Sequence, residues 1–271
     1  IPGSLVGSEM CIRDRKFIII GEKMGETISL DQRRQESWGR QENEQAIRED
    51  LAAVHRLAHR FGWDDNIFNH FSCALPGGEE FLVKAHGLLM SEVTASNLIV
   101  VDQEGRITRG NGTVERSALH IHAAIHLGRP DAFCILHVHP PYTTWLSSME
   151  DNQLKMTNQN TIRFFDRIAY DDVYEGLAVA RDEGKRMCQA MADKRIMIHV
   201  NHGVTVAAPT VEEAFFDLYY LELVCKEYFL VVSSGGSPRL IPDEIFRKTL
   251  PQLEEEYQET AQITIEAWKR V

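Results

Sequence analysis

The residues His137 and His139 in Ile135-Leu136-His137-Val138-His139-Pro140 set the first constraint on chemistry. Side chains alternate along an extended strand, so residues two apart project from one face and both imidazoles reach toward a common point. A third histidine, His202, stands in Val200-Asn201-His202-Gly203-Val204, where the glycine lets backbone or ligand approach closely. Three neutral imidazoles with a coordination position left open describe a catalytic Zn²⁺ or similar divalent site, because a closed structural site takes four protein ligands. Pro140-Pro141 then opens a helix, and a helix N-terminus beside such a site would offer free N–H groups to an anionic substrate. An H-x-H pair taken alone also fits two packed or surface histidines, so the metal reading draws on all three features together.

These residues must be positioned by the elements around them. From Glu44 to Phe61 the apolar residues Ile47, Leu51, Val54, Leu57, Ala58 and Phe61 recur at three- and four-residue steps, which predicts a helix closed by Gly62. Strand-like runs follow over Ile67 to Leu75, Glu80 to Ala85, Leu98 to Asp102 and Arg106 to Arg109, separated by glycine-containing turn signals. A helix over Val114 to Leu127 ends at Pro130, strand Phe133 to Val138 leads into the H-x-H pair, and a further helix begins at Pro141. A long helix over Glu175 to Ala192 precedes strand Arg195 to Val200, the His202 turn and strand Val204 to Ala207. The last long helix opens with the capping box Thr210-x-x-Glu213 and runs to about Tyr228. Its face Ala214, Leu218, Leu221, Cys225 and Tyr228 supplies core, and Phe216, Tyr220 and Leu223 are expected to leave apolar surface for contact between copies of the chain.

Helices before, between and after the strands imply an α/β layered domain over residues 44–232. Gly235-Gly236-Ser237-Pro238 reads as a linker to a C-terminal helical tail, residues 237–271, whose helix Leu253 to Trp268 is expected to keep its Glu-rich face solvated. Residues 1–15 have neither periodicity nor the order of a signal peptide and look like translated adapter sequence. The native start is therefore expected at Met24 or just upstream, with residues 1–23 a non-native or disordered leader.

The chain has 271 residues, and 29 Lys and Arg against 40 Asp and Glu give a net charge of −11. That balance argues against nucleic acid as a partner, since phosphate backbones need clustered cations. No run approaches the ~18 apolar residues of a membrane span. The odd number and wide spacing of Cys11, Cys73, Cys134, Cys188 and Cys225 predict reduced thiols and a cytoplasmic setting.

The order and spacing of several motifs carry a resemblance. These are Asn69-His70-Phe71-Ser72, Gly87 with Ser91-Glu92-Val93-Thr94, and Leu98-Ile99-Val100-Val101-Asp102. They continue with His122-Ala123-Ala124-Ile125-His126 running into Arg129-Pro130-Asp131, then His137-Val138-His139 and Asn201-His202-Gly203-Val204. Across nearly all of residues 44–232 the chain resembles the class II aldolase/adducin family. The resemblance implies a three-layer α/β/α sandwich around a mainly antiparallel central sheet, and a homotetramer with sites near subunit interfaces. It further implies a catalytic zinc, or another divalent metal, on His137, His139 and His202, as in L-fuculose-phosphate aldolase. Asn69 and Gly87 match substrate-loop positions.

Two departures qualify what carries over. Ala118 stands where the family's aldolases keep an acid/base glutamate, and the nearest carboxylate, Glu115, lies three residues earlier, roughly 4.5 Å along a helix axis. Glu115 is thus the candidate catalytic residue only if the helix start is shifted or the loop remodelled; His70 and His120 are alternatives that also read as packed histidines. The aldolases' paired serines fall on Arg116 and Ser117, and their threonine-glycine turn on His86-Gly87, so phosphate is expected not to be essential. Two functions follow. One is a metal-dependent lyase, decarboxylase or epimerase acting through an enediolate on a small hydroxy-carbonyl or sugar-derived substrate; the other is an adducin-head-like module that binds a protein partner without catalysis.

Overall fold

Helix α1 (Glu44–Arg60) begins where the Asn43 side chain accepts a hydrogen bond from the Gln45 N–H at 3.0 Å. It ends in a Schellman motif: the Gly62 N–H donates to His59 O at 2.9 Å and the Trp63 N–H to Ala58 O at 3.0 Å. Gly62 takes φ +72°, the left-handed conformation this closure requires. The computed structural model describes residues 43–174, 176 and 181–270. The expectations for residues 1–23, for Met24, for Cys11 and for the first turn of the helix from Glu175 lie outside the described residues.

Eight short strands form one sheet: β1 (His70–Ala74), β2 (Glu80–Val83), β3 (Ile99–Asp102), β4 (Ile107–Arg109), β5 (Cys134–Val138), β6 (Ile168–Asp171), β7 (Ile196–His199) and β8 (Gly203–Ala208). Their order is β4-β3-β2-β1-β5-β8-β7-β6, and every pairing is antiparallel except β6 with β7. One face packs on α1 and on α5 (Val211–Ser233) through Leu51, Phe71, Phe133, Phe215 and Leu218. The other face packs on α2 (Arg116–Gly128) and α4 (Arg181–Met191) through Ile121, Ile125, Ile135, Met187 and Met197. The result is a three-layer α/β/α sandwich with a mostly antiparallel sheet. Among the described residues, no helix is long and apolar enough to cross a membrane.

Three local expectations are corrected. The helix after Pro140, α3 (Pro141–Ser147), does not present its N-terminus to a ligand. Glu222 of α5 already accepts from the N–H groups of Tyr142 at 2.9 Å and Thr143 at 2.8 Å, so a carboxylate of the chain itself takes that place. The box at Thr210 is half made: its hydroxyl accepts from the Glu213 N–H at 3.1 Å, whereas the Glu213 carboxylate accepts from Arg195 at 2.6 Å. The tail holds two helices, α6 (Asp243–Glu255) and α7 (Tyr257–Lys269), where one was expected.

Helix α7 also covers the surface that Phe216 was expected to expose. Phe216 is fully buried against Tyr257 and Ala261, its ring 5.6 Å from that of Tyr257, and Trp268 packs on Phe61, Phe215 and Tyr219. Phe216 is therefore satisfied within the chain with Tyr220 packed beside it, whereas Leu223 stays half-buried and Leu230 exposed. Phe216→Ala should cost about 3–5 kcal/mol, the usual loss for a buried phenylalanine; denaturant unfolding followed by circular dichroism measures it, and a cost below ~1 kcal/mol would show that the tail does not hold this ring.

Candidate metal centre

The ends of the central strands converge at one edge of the sheet. Antiparallel pairing puts His70, at the start of β1, directly opposite His137, near the end of β5, and their rings stack with centroids 4.9 Å apart. His139 follows one residue beyond β5, and His202 sits in the turn from β7 to β8, where Asn201 adopts φ +55° and donates its N–H to Ser147 O at 3.0 Å. One ligand atom from each of His137, His139 and His202 lies within 4.8 Å of the others. Gly203 permits this: a Cβ there would stand 2.5 Å from His139 Cδ2 and 2.8 Å from Val138 O.

Hydrogen bonds fix which nitrogen of each ring is free. Asp171 lies on β6 with both carboxylate oxygens on Arg186, at 2.7 and 2.8 Å; burial raises its pKa, and the bonds to His199 and Arg186 outweigh that and hold it well below the usual carboxylate range. His199 Nδ1 is 3.6 Å from that carboxylate, so its Nε2 accepts from Thr205 Oγ1 at 2.8 Å. Thr205 Oγ1 in turn accepts from His137 Nδ1 at 3.1 Å, which leaves His137 Nε2 as a lone pair. His139 Nδ1 donates to Asp65 Oδ2 at 3.5 Å, leaving its Nε2 free in the same way. The two free nitrogens face each other at 3.3 Å. Two lone pairs at that distance repel unless a cation lies between them, and nitrogens bound ~2.1 Å from one tetrahedral ion stand roughly 3.4 Å apart.

Burial pushes all three imidazoles below the ordinary histidine range, His202 to about 4, so they are neutral and able to ligate. The donor set thus fits a divalent ion with affinity for nitrogen. The bonds from Thr205 and Asp65 supply the orientation that metal-bound histidines need from a second set of groups. Thr205→Val should weaken zinc binding by about 10- to 100-fold while leaving the fold intact; competition with a chromophoric chelator measures it, and an unchanged affinity would mean that Thr205 does not orient His137.

The three histidines line a cavity of about 370 Å³ together with Asn69, His70, Lys84, Glu115 and Ala118. Glu115 is not inside helix α2 but is its N-cap: Oε2 accepts from the Ala118 N–H at 2.8 Å and from the Ser117 hydroxyl. Burial raises its pKa, yet the bonds from Ser117 and the backbone dominate and keep it ionised. The helix therefore starts two residues later than the sequence expectation, at Arg116 and not Val114, and the shift carries the carboxylate to the cavity beside Ala118. Gly87 occupies the adjoining turn with φ +95° and is not a lining residue, whereas His86 before it is. His120 lies elsewhere, on a larger cavity of about 600 Å³ between α2 and α4 with Leu127, Lys185 and Cys188.

Behind the cavity runs a line of buried histidines. His126 Nδ1 lies 2.8 Å from Ala132 O, and a carbonyl only accepts, so Nδ1 carries the proton. The rest follows in turn: Ser72 Oγ donates to His126 Nε2 at 2.8 Å, His122 Nδ1 donates to Ser72 Oγ at 2.5 Å, and His70 Nδ1 donates to His122 Nε2 at 2.8 Å. Burial holds His70 at about 3, His126 at about 4 and His122 well below its ordinary value, so each ring is neutral. His70 thereby turns a lone pair on Nε2 toward the cavity, 3.3 Å from Ser117 Oγ.

Sequence reasoning singled out neither Lys84 nor the orienting pair Asp65 and Thr205. Lys84 was detectable as the charged residue interrupting Phe81-Leu82-Val83-Lys84-Ala85; Asp65 and Thr205 carry no local signal, because only pairing across the fold brings them to the histidines.

Comparison with known proteins agrees with this geometry. Rat alpha-adducin is 34% identical over 213 residues, which cover 77% of this chain and 29% of that protein. The crystal structure of an aldolase II superfamily protein from Pseudomonas syringae superposes with a TM-score of 0.78 at 35% identity, covering 84% of this chain and 92% of that one. L-fuculose 1-phosphate aldolase from Glaciozyma antarctica PI12 shares the fold, with a TM-score of 0.73 at 24% identity over 92% and 94% of the two chains. The family model of the class II aldolase and adducin N-terminal domain matches residues 49–229, the stretch that contains the whole sheet, its helices α2 to α4 and every residue of the cavity. With its fold, its histidine cluster and this match in register, the chain belongs to the class II aldolase and adducin family.

Proposed function

We propose that the protein is a metal-dependent lyase that cleaves, or decarboxylates or epimerises, a small hydroxy-carbonyl compound, with His137, His139 and His202 holding the ion. The observation that carries this reading is the 3.3 Å approach of two imidazole lone pairs, each locked by a bond on its far side. A bound Zn²⁺ or similar divalent ion would act there as a Lewis acid toward carbonyl and hydroxyl oxygens. Glu115, ionised and in the cavity beside Ala118, takes the proton that leaves the substrate and returns it to the product. Asn69 and His70 are placed to orient hydroxyl or carbonyl groups, one with a free amide N–H and the other with a free lone pair.

Likeness to aldolases supports the reaction class, while the absence of a serine pair before Ala118 supports a substrate that need not carry phosphate. The reading expects a cytoplasmic homotetramer, a state implied by family resemblance and no longer by Phe216. Elemental analysis of the purified protein, joined to a screen of ketoses and sugar acids with and without added Zn²⁺, tests it. One equivalent of metal and metal-dependent turnover are expected. No turnover on any compound, with a protein partner bound equally well by the His137→Ala variant, would replace this reading with the adducin-head-like one.

A further inference from the structure

Of the three clustered histidines only His137 lies within a strand, paired with His70 on one side and Thr205 on the other. His139 stands one residue beyond β5 and His202 in the turn before β8, so no strand pairing fixes either of them. Both are tied instead to helix α3. His139 runs into Pro140 and Pro141, and consecutive prolines leave few rotations between that histidine and the helix, because each ring locks its own φ and restricts the residue before it. At the other end Ser147, the last residue of α3, accepts from the Asn201 N–H at 3.0 Å, and Asn201 immediately precedes His202. The helix is therefore a strut of seven residues, roughly 10 Å long, between two of the three histidines.

A strut this short does not hold itself in place, since isolated helices below ~12 residues are marginal in water. Its N-terminus has few free donors: Pro141 has no N–H, and the Thr144 N–H already bonds Pro140 O at 2.9 Å. The N–H groups of Tyr142 and Thr143 remain, and both go to Glu222, at 2.9 and 2.8 Å, which also accepts from the Thr143 hydroxyl at 2.8 Å. Glu222 is buried on α5, a 23-residue helix seated on the sheet through Phe215 and Leu218. One anchored carboxylate thus holds the end of the strut nearest His139.

Bonds to a bound ion tolerate only about ±0.2 Å, so the separation of the three imidazoles is a quantity the fold must hold. Without Glu222 the N–H groups of Tyr142 and Thr143 would lack partners, and the N-terminus of α3 would have to move to find new ones. That movement would pass through Pro140 to His139 and through Ser147 to the turn of His202, whereas His137 would stay in its strand. We propose that Glu222 is a positioning residue for the histidine cluster, fixing through α3 how far His139 and His202 stand from His137. This inference rests on the reading of the cluster as a metal centre.

Amide hydrogen exchange in the metal-free protein and zinc affinity by chelator competition test it together, with Glu222→Gln as the main variant. Glutamine has nearly the same shape but offers one accepting oxygen where two serve, and it turns N–H groups toward N–H groups. The Asn201 N–H should exchange about 10-fold faster relative to the Leu51 N–H in α1, the effect of losing about one hydrogen bond. Zinc should bind about 10- to 100-fold more weakly, as for other groups that orient metal-bound histidines. Asp217→Asn is the comparison: Asp217 is likewise buried on α5 but accepts from Arg167 at 3.1 Å and not from α3, so its loss should lower the melting temperature and leave both readings unchanged. Thr143→Val removes only the hydroxyl bond to Glu222, should move both readings the same way by about 2- to 10-fold, and decides the matter if Glu222→Gln does not fold. Zinc affinity unchanged in each of these two variants that folds, or weakened as much by Asp217→Asn, would overturn the proposal. A parent protein that takes up no zinc would overturn the metal reading instead; faster exchange at Asn201 in the variants would then sustain the inference about spacing, and unchanged exchange would overturn it.

Discussion

Replacing His202 with alanine is expected to abolish both metal retention and turnover while leaving the protein folded. His202 is only half-buried and lies in a turn held by backbone bonds, Asn201 N–H to Ser147 O at 3.0 Å and His202 N–H to His199 O at 3.1 Å, so the side chain is not needed to close the sheet. Removing it leaves two ligands where three converge. The loss in affinity should exceed the roughly 10- to 100-fold that follows from disturbing an orienting group, because a bond to the ion itself is gone. Dialysis followed by elemental analysis should find the parent protein with one equivalent and the variant with nearly none. A variant that keeps a full equivalent would mean that the ion binds elsewhere, and the lyase reading would lose its foundation.

The second large effect is expected at Glu115. Glutamine there keeps an oxygen to accept from Ser117 and from the Ala118 N–H, so the start of α2 should survive, with a cost within the ~0.5–2 kcal/mol typical of an altered cap. What glutamine lacks is the negative charge that accepts a proton. Glu115→Gln should lower kcat by a factor of about 10² to 10⁴, the usual contribution of a positioned acid or base, with metal content unchanged. Steady-state kinetics on the best substrate of the screen, read beside a melting curve, separates the two roles. A drop of less than about threefold together with a lowered melting temperature would make Glu115 a cap and nothing more.

The strands and helices that frame the cavity were legible because their signals are local. Three- and four-residue apolar spacing located α1 to within one residue of its C-terminal end, and the turn glycines separated β1 to β4. The H-x-H pair needed only strand alternation to be placed on one face. Strand β6, Ile168-Ala169-Tyr170-Asp171, gave no usable signal: it is four residues long and on the sheet's edge, with pairing on one side to β7. The position of Glu115 was misjudged for a different reason. Whether a residue at a helix start lies in its first turn or is its cap depends on where the side chain finds an N–H, and that difference decides whether its carboxylate reaches the cavity. The occupation of the α3 N-terminus by Glu222 was equally hidden, since 80 residues separate Tyr142 from the carboxylate that satisfies it.

The row of histidines from Ala132 to His70 behaves as a message with one binary digit. Every link in it could point either way, yet reversing one neutral link forces the reversal of all, so the row as a whole has just two readings. The Ala132 carbonyl erases one of them, since turning His126 around would set two lone pairs face to face in a buried place and forfeit a bond, at a cost of about 1–3 kcal/mol. The digit written at Ala132 is therefore read at His70, at the start of β1, with no moving part between them. If the cavity takes the proposed hydroxy-carbonyl substrate, a hydroxyl arriving at His70 Nε2 is accepted and a bare carbonyl oxygen refused, and the parity of a distant backbone group sets which way round the compound enters.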